Sequence, residues 1–223
     1  MMNLRHFYFN LFREHCSVVW GAERLATIVD PGCRGADELR KLTDCFASEG
    51  LTPAAILLTH AHFDHIYGVK ALQDIYGIPV YMNPVEKDIL SIDAEDAAKF
   101  GMEAPDISFR TSDIADGDAL EIGGLRFEVI TTPGHTLGSV CFYEREEATL
   151  FTGDTLFAGT IGRTDHRYAD YDLEIVSIME KLIWLDSDVK IVPGHGGCSS
   201  IGWERTHNPF LEPFNEPQEE NGL

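Results

Sequence analysis

Four short segments of this chain carry metal-capable side chains, and each follows an apolar, strand-like run. The densest is His60-Ala61-His62-Phe63-Asp64-His65, with four such groups in six residues. Two histidines two apart on an extended backbone project to the same side, so one ion can take both. Asp64 and His65 fall at the start of the next helix, offset from the pair, and can serve a second ion. The remaining segments are Gly134-His135, Gly153-Asp154 and Gly194-His195, where the glycine lets the backbone turn out of a strand toward a shared cleft. Two four-coordinate metals need about eight protein bonds, less the positions left open for water. Seven residues with one bridging carboxylate, namely His60, His62, Asp64, His65, His135, Asp154 and His195, meet that need. Taken singly, the histidine pair reads as solvated, His135 or His195 as a core or surface histidine, and Asp154 as a turn residue. Coincidence across four separate segments is the weaker explanation, so metal binding is expected.

The elements that must position these residues alternate along the chain. Phe7–Phe12, Ser17–Trp20 and Ala26–Val29 read as strands, and the last leads into the turn Asp30-Pro31-Gly32. Leu39, Leu42, Cys45 and Phe46 recur at helical spacing, and Gly50 ends that helix. Ala54–Leu58 is a continuous apolar run, as expected of a strand buried on both faces, and it delivers the chain into His60. A helix near Ile66–Tyr76, a strand at Ile78–Tyr81 and a helix after Pro84 follow, then an irregular acidic stretch to about Asp118. Strands are predicted again at Leu125–Ile130, Ser139–Tyr143 and Thr149–Phe151. An amphipathic helix is predicted over Asp172–Leu185, with Leu173, Val176, Ile178, Met179 and Leu182 inward, and a last strand at Val189–Val192. Strands then helices, twice over, predict an α/β chain of two sheets with helices on their outer faces. We expect one catalytic domain over residues 1–211 and a polar tail over residues 212–223.

At 223 residues, with 44% hydrophobic and 24% charged content, the composition is that of an ordinary globular protein. A formal charge of -20 disfavours phosphate backbones and anionic lipid, so a small molecule is expected as partner rather than nucleic acid or membrane. Cys16, Cys33, Cys45, Cys141 and Cys198 are odd in number and scattered without a CxxC pair, which argues against a disulfide framework. Cys141 and Cys198 read as packing residues. Without a long apolar segment near Met1 or elsewhere, the expected location is the cytoplasm. No feature of the chain specifies an oligomeric state.

The order His60-x-His62-x-Asp64-His65, His135, Asp154, His195 resembles the metallo-β-lactamase superfamily from about Phe7 to His207, with Asp30-Pro31-Gly32 as its early turn. Thr132-Pro133-Gly134-His135-Thr136-Leu137-Gly138-Ser139 and Gly153-Asp154-Thr155-Leu156-Phe157 are similar to its glyoxalase II-like branch. Gly162-Arg163-Thr164-Asp165 and Asn208-Pro209-Phe210-Leu211 resemble the short, single-domain members. The resemblance implies a four-layer αββα sandwich with a first metal on His60, His62 and His135. It implies a second on Asp64, His65 and His195, with Asp154 bridging. Zinc is the expected ion, with iron or manganese acceptable to the same ligands.

A metal-bound hydroxide, available near neutral pH, would attack a thioester or ester carbonyl, with Asp64 and Asp154 as the catalytic carboxylates. Asp30 would orient a ligand histidine, or serve only as a turn residue. Arg163 would grip a substrate carboxylate or pair with Asp165, and His166 would line the pocket mouth. Hydroxyacylglutathione hydrolases carry a Lys-Phe-Tyr stretch near the position of Arg163 and a helical C-terminal domain, neither of which is expected here. The alternatives are lactone cleavage at the same two-metal site and a mononuclear-iron persulfide dioxygenase using His60, His135 and Asp154.

Overall fold

The computed structural model describes residues 1–214, so residues 215–223, most of the expected tail, lie outside the described residues. The first sheet is built in chain order from β1 (Asn3–Phe9), β2 (Glu14–Trp20), β3 (Leu25–Val29), β4 (Thr52–Leu57), β5 (Val80–Met82) and β6 (Ser112–Asp113). β1 to β3 are antiparallel, and β3 to β6 run parallel. The parallel part needs crossovers, supplied by α1 (Gly35–Glu49), α2 (Phe63–Ile66), α3 (Val69–Tyr76) and α4 (Lys87–Asp96). β7 (Ala119–Ile122), β8 (Leu125–Thr131), β9 (Val140–Glu144) and β10 (Thr149–Gly153) open the second sheet. A small hairpin of β11 (Leu156–Phe157) and β12 (Thr160–Ile161) precedes α5 (Tyr171–Ser177). β13 (Lys190–Pro193) and β14 (Ser199–Ser200) complete that sheet in the order β14-β13-β10-β9-β8-β7, and α6 (Ile201–His207) follows.

Period-two alternation makes three cores from these two sheets. In β4, Ile56 faces α1 and α3 beside Leu42 and Leu72, while Ala55 and Leu57 face the other sheet. In β9, Val140 and Phe142 meet Leu57 and Val29 between the sheets, while Cys141 and Tyr143 pack outward beside Ile178 and Ile201. The result is the expected four-layer αββα sandwich. Each fully buried Leu or Phe in these layers contributes about 1.5–3 kcal/mol.

Local differences from the sequence reading have identifiable causes. The first strand stops at Phe9 because Asn10 takes a left-handed φ of 49°, which places Phe12 in a turn instead of a strand. The helix expected over 66–76 is two helices broken at Tyr67-Gly68, and a Cβ on Gly68 would lie 2.2 Å from Cys33 Sγ. The helix expected over 172–185 loses regular α geometry after Ser177, passing into wider turns over Ile178–Leu182. Leu173 and Val176 are exposed there, and Glu174, Ser177, Ile178 and Leu182 form the inward face. All five cysteines are free, and Cys198 is exposed instead of packed. No helix among the described residues is long and apolar enough to cross a membrane.

Candidate metal centre

The metal-capable residues all leave the carboxyl ends of β4, β8, β10 and β13 or the loops just beyond. β3 and β4 are parallel, as are β10 and β13, so the ends of each pair open on one edge. Two backbone bonds tie the sheets together there, Val140 N–H to Thr59 O at 2.8 Å and His15 N–H to Gly194 O at 2.7 Å. Gly153 takes a φ of +50° as β10 ends, which turns Asp154 into the cleft. Gly194 serves a different purpose from the turn expected of it. A Cβ there would come within 2.2 Å of Asp154 Oδ1 and 2.6 Å of His65 Cε1, so close approach requires the glycine.

The seven residues converge as two sets with one carboxylate between them. His60 Nε2 lies 3.0 Å from His62 Nδ1, and His62 Nδ1 lies 2.9 Å from His135 Nε2. In the second set, His65 Nε2 is 3.2 Å from His195 Nε2, and Asp64 Oδ2 is 3.3 Å from His195 Nε2. Asp154 spans both sets, with Oδ1 3.5 Å from His65 Nε2 and Oδ2 3.6 Å from both His135 Nε2 and His195 Nε2. Asp154 Oδ1 is buried without a hydrogen-bond partner. A buried carboxylate oxygen left open among imidazole nitrogens is a site for a cation.

Hydrogen bonds on the outer side of the rings fix which nitrogens face inward. His135 Nδ1–H donates to Arg163 O at 2.9 Å, and His195 Nδ1–H donates to Phe12 O at 3.1 Å. Asp30 Oδ2 accepts from His65 Nδ1–H at 3.1 Å and from the Thr59 hydroxyl at 2.6 Å, while Oδ1 accepts from Thr59 N–H at 2.8 Å. With its hydroxyl hydrogen so committed, Thr59 Oγ1 accepts from His60 Nδ1–H at 3.0 Å. Four Nε2 atoms are thereby left as lone-pair donors aimed at the site. Asp30 is therefore more than a turn residue. It takes a φ of +47°, which aspartate tolerates better than most residues, and orders two imidazoles.

Electrostatics divide the five rings into two groups. Burial and the neighbouring imidazoles push His60 and His62 well below the ordinary histidine range, and burial lowers His135, so these rings stay neutral. His65 and His195 go the other way. Burial opposes a charge on them, but the Asp154 and Asp64 carboxylates outweigh it and raise both. The space between Asp64 and Asp154 thus favours positive charge, which a divalent ion would supply.

Three acidic residues absent from the sequence reading hold the ligand loops. Glu86 is fully buried and accepts from Ala61 N–H at 2.7 Å, Gly138 N–H at 2.9 Å and the Thr136 hydroxyl at 2.7 Å. It thereby joins the loop of His60 and His62 to the loop of His135. Burial pushes its carboxyl up to about 7. Asp93 accepts from Phe63 N–H at 2.7 Å, and Glu174 accepts from His135 N–H at 2.8 Å. The Glu174 signal was present in the spacing 174, 178, 182, which places it on one helical face with Ile178 and Leu182. Glu86 carries no such signal. Glu86→Gln sets an amide NH2 against backbone donors, and we expect about a 10- to 100-fold loss of metal affinity, read by competition with a chelating dye. Unchanged affinity would mean that these loops hold themselves.

Arg163 and His166 both line the cleft, a cavity of about 430 Å³ above the seven residues. Arg163 Nε donates to Asp165 Oδ1 at 2.8 Å across exposed side chains, the pairing expected as the alternative to substrate contact. The His166 ring stands 5.1 Å from that of His62 and 5.2 Å from that of His135.

Comparison with known proteins agrees with this architecture. The family model described as metallo-beta-lactamase superfamily matches residues 10–195. The chain is 36% identical to hydroxyacylglutathione hydrolase GloC of Haemophilus influenzae over 94% of its own length and 98% of that protein. Among solved structures it is similar to the BLEG-1 B3 metallo-beta-lactamase, with a TM-score of 0.86 and 36% identity over 94% of this chain and 99% of that one. It also resembles TTHA1623 in a di-iron-bound form, with a TM-score of 0.84 and 34% identity over 93% of this chain and all of that one.

Proposed function

This chain belongs to the metallo-β-lactamase superfamily of metallo-hydrolases, and on that premise we propose that it hydrolyses a small thioester or ester, in the manner of glyoxalase II, at a two-metal site. The observation that carries the reading is the convergence of two complete ligand sets on one shared carboxylate, Asp154. His60, His62 and His135 would hold one ion and Asp64, His65 and His195 the other, zinc being the best match to this mixture of imidazole and carboxylate. Bound there, the ions would supply a polarised carbonyl and a nucleophilic hydroxide near neutral pH.

The chain's own groups account for the rest. Asp30, through Thr59, keeps His60 and His65 in the tautomers that face the site. Asp64 and Asp154 bring negative charge to the reacting point, so the loaded centre is only weakly positive and suits a substrate that develops charge on oxygen. Arg163 and His166 would contact the substrate from the cleft wall. No serine or cysteine is needed as a nucleophile.

Support for the thioester substrate comes from the GloC relative, matched over nearly its whole length. The reading is tested by thiol release from S-D-lactoylglutathione and from S-lactoyl-N-acetylcysteamine, using protein with its metals and protein treated with chelator. We expect metal-dependent release from at least one, lost on chelation together with several degrees of Tm. No release from either by protein carrying two ions would reject lactoyl thioesters and move lactones and other acyl thioesters forward as the substrate of this site. The persulfide dioxygenase alternative requires one iron and consumption of oxygen. Because TTHA1623 has been seen with two irons, the count of ions, not the presence of iron, separates the two chemistries.

A further inference from the structure

One wall of the cleft is not explained by metal binding. Phe12, Phe63 and Phe100 form a triangle of rings with centroids 5.1 to 5.7 Å apart, and all three line the cavity above the metal residues. Phe63 stands between His62 and Asp64, and the carbonyl of Phe12 holds His195. The rings are therefore fixed relative to both ligand sets. Phe63 is buried, but Phe100 is 50% exposed at the cavity mouth. An aromatic ring left open beside a polar, reactive floor is the composition of a ligand pocket.

The charges around this lobe restrict what it can take. Asp93 and Asp96 face it, and both of its cations are already paired, Lys99 with Asp96 at 2.7 Å and Arg163 with Asp165 at 2.8 Å. A second lobe of about 400 Å³ lies past Arg163, lined by Phe157, Ala158, Ile161, Gly196 and Gly197, and shares Asp154 and His195 with the first. Ligands of both sets line only the aromatic lobe of the two. An acyl carbon held against both ligand sets would put its substituent in that lobe, and the leaving thiol or alcohol would extend into the second.

We infer that the Phe12–Phe63–Phe100 wall is a subsite for an apolar acyl group, which makes the substrates uncharged thioesters or esters with aryl or bulky alkyl acyl chains. This rests on the hydrolase reading above and narrows it. Ring contact supplies the attraction, and the largely apolar second lobe, whose Arg163 is paired with Asp165, gives no advantage to an anionic thiol such as glutathione.

The test pairs two acyl groups, lactoyl and phenylacetyl, with two thiols, N-acetylcysteamine and glutathione, and measures kcat/KM with the metal-loaded enzyme. Phenylacetyl is expected to exceed lactoyl by about tenfold or more on either thiol, and N-acetylcysteamine to exceed glutathione. Phe100→Ala should erase most of the acyl preference by raising KM for the phenylacetyl thioesters alone, and Phe100→Leu should retain much of it. Equal rates for both acyl groups, or an equal loss on all four substrates in Phe100→Ala, would overturn the subsite. If no thioester is cleaved, the thioester reading fails instead, and calorimetry of the metal-loaded protein with phenylacetate, the acyl-side product, then decides the subsite separately. Binding about tenfold weaker in Phe100→Ala supports it, and unchanged binding overturns it.

Discussion

Asp154→Asn is expected to lower kcat/KM for the preferred thioester by at least about a thousandfold while leaving the fold intact. The amide has the size and shape of the carboxylate it replaces, so packing against Gly194 survives. What it loses is the charge shared by the two ligand sets. Asp154 lies within 3.6 Å of ligand nitrogens from both, reaching His135 on one side and His65 and His195 on the other. Without it, Asp64 is the one carboxylate left in the proposed ligand sets, and two close cations would repel each other without a shared anion. The check is steady-state kinetics with metal content measured on the same sample and near-UV circular dichroism as the control for folding. A loss below tenfold would show that the two sets work independently or that one of them is idle.

The second large effect is expected at Asp30. Asp30→Ala strips the partner from Thr59 N–H, the Thr59 hydroxyl and His65 Nδ1–H, all in a region closed to water. Removing a buried carboxylate from donors it satisfies costs about 3–5 kcal/mol. For a chain of this size that corresponds to a fall in Tm of about 10 °C. The consequence for the site goes beyond stability. Thr59 no longer has to accept from His60, so His60 can take the tautomer that turns a proton toward the metal position. Asp30→Asn isolates this effect, because asparagine tolerates the left-handed backbone at position 30. Its NH2 cannot accept where Oδ1 or Oδ2 now does, and metal affinity should fall by about 10- to 100-fold even where folding persists. Thermal melting and metal competition on the two variants separate the contributions. An Asp30→Asn protein with unaltered affinity would return Asp30 to the role of a turn residue.

What the sequence makes legible here follows from how local each feature is. The candidate metal residues cluster at strand ends, and β4, β10 and β13 are apolar enough to be recognised without a partner, so the convergence of the seven positions and the two-sheet layout can be read directly. Asp30 is readable because it also ends a strand. Glu86 is not, because its partners are 25 and 52 residues away and its own segment is a short turn after Asn83. Residues 171–182 show a different obstacle. Two apolar residues, Leu173 and Val176, suggest one face, while the backbone around His135 requires the polar Glu174 and Ser177 on the other. Hydrogen bonding to a ligand loop outweighs the burial of two side chains, and apolar periodicity alone does not register it. The aromatic wall escaped for a related reason. Phe12 reads as the end of a strand and Phe100 as part of an irregular stretch, and only the turn at Asn10 and the helical approach to residue 100 bring them to Phe63.

The claim that joins these results is a two-metal centre organised around Asp154, and metal stoichiometry tests it most directly. Elemental analysis of the purified, unchelated protein, beside Asp154→Asn and His195→Ala, counts the ions per chain. Two are expected in the wild type and about one tightly held in His195→Ala, with the remaining ion on His60, His62 and His135. One ion per chain in the wild type, unchanged by His195→Ala and accompanied by oxygen consumption, would contradict it.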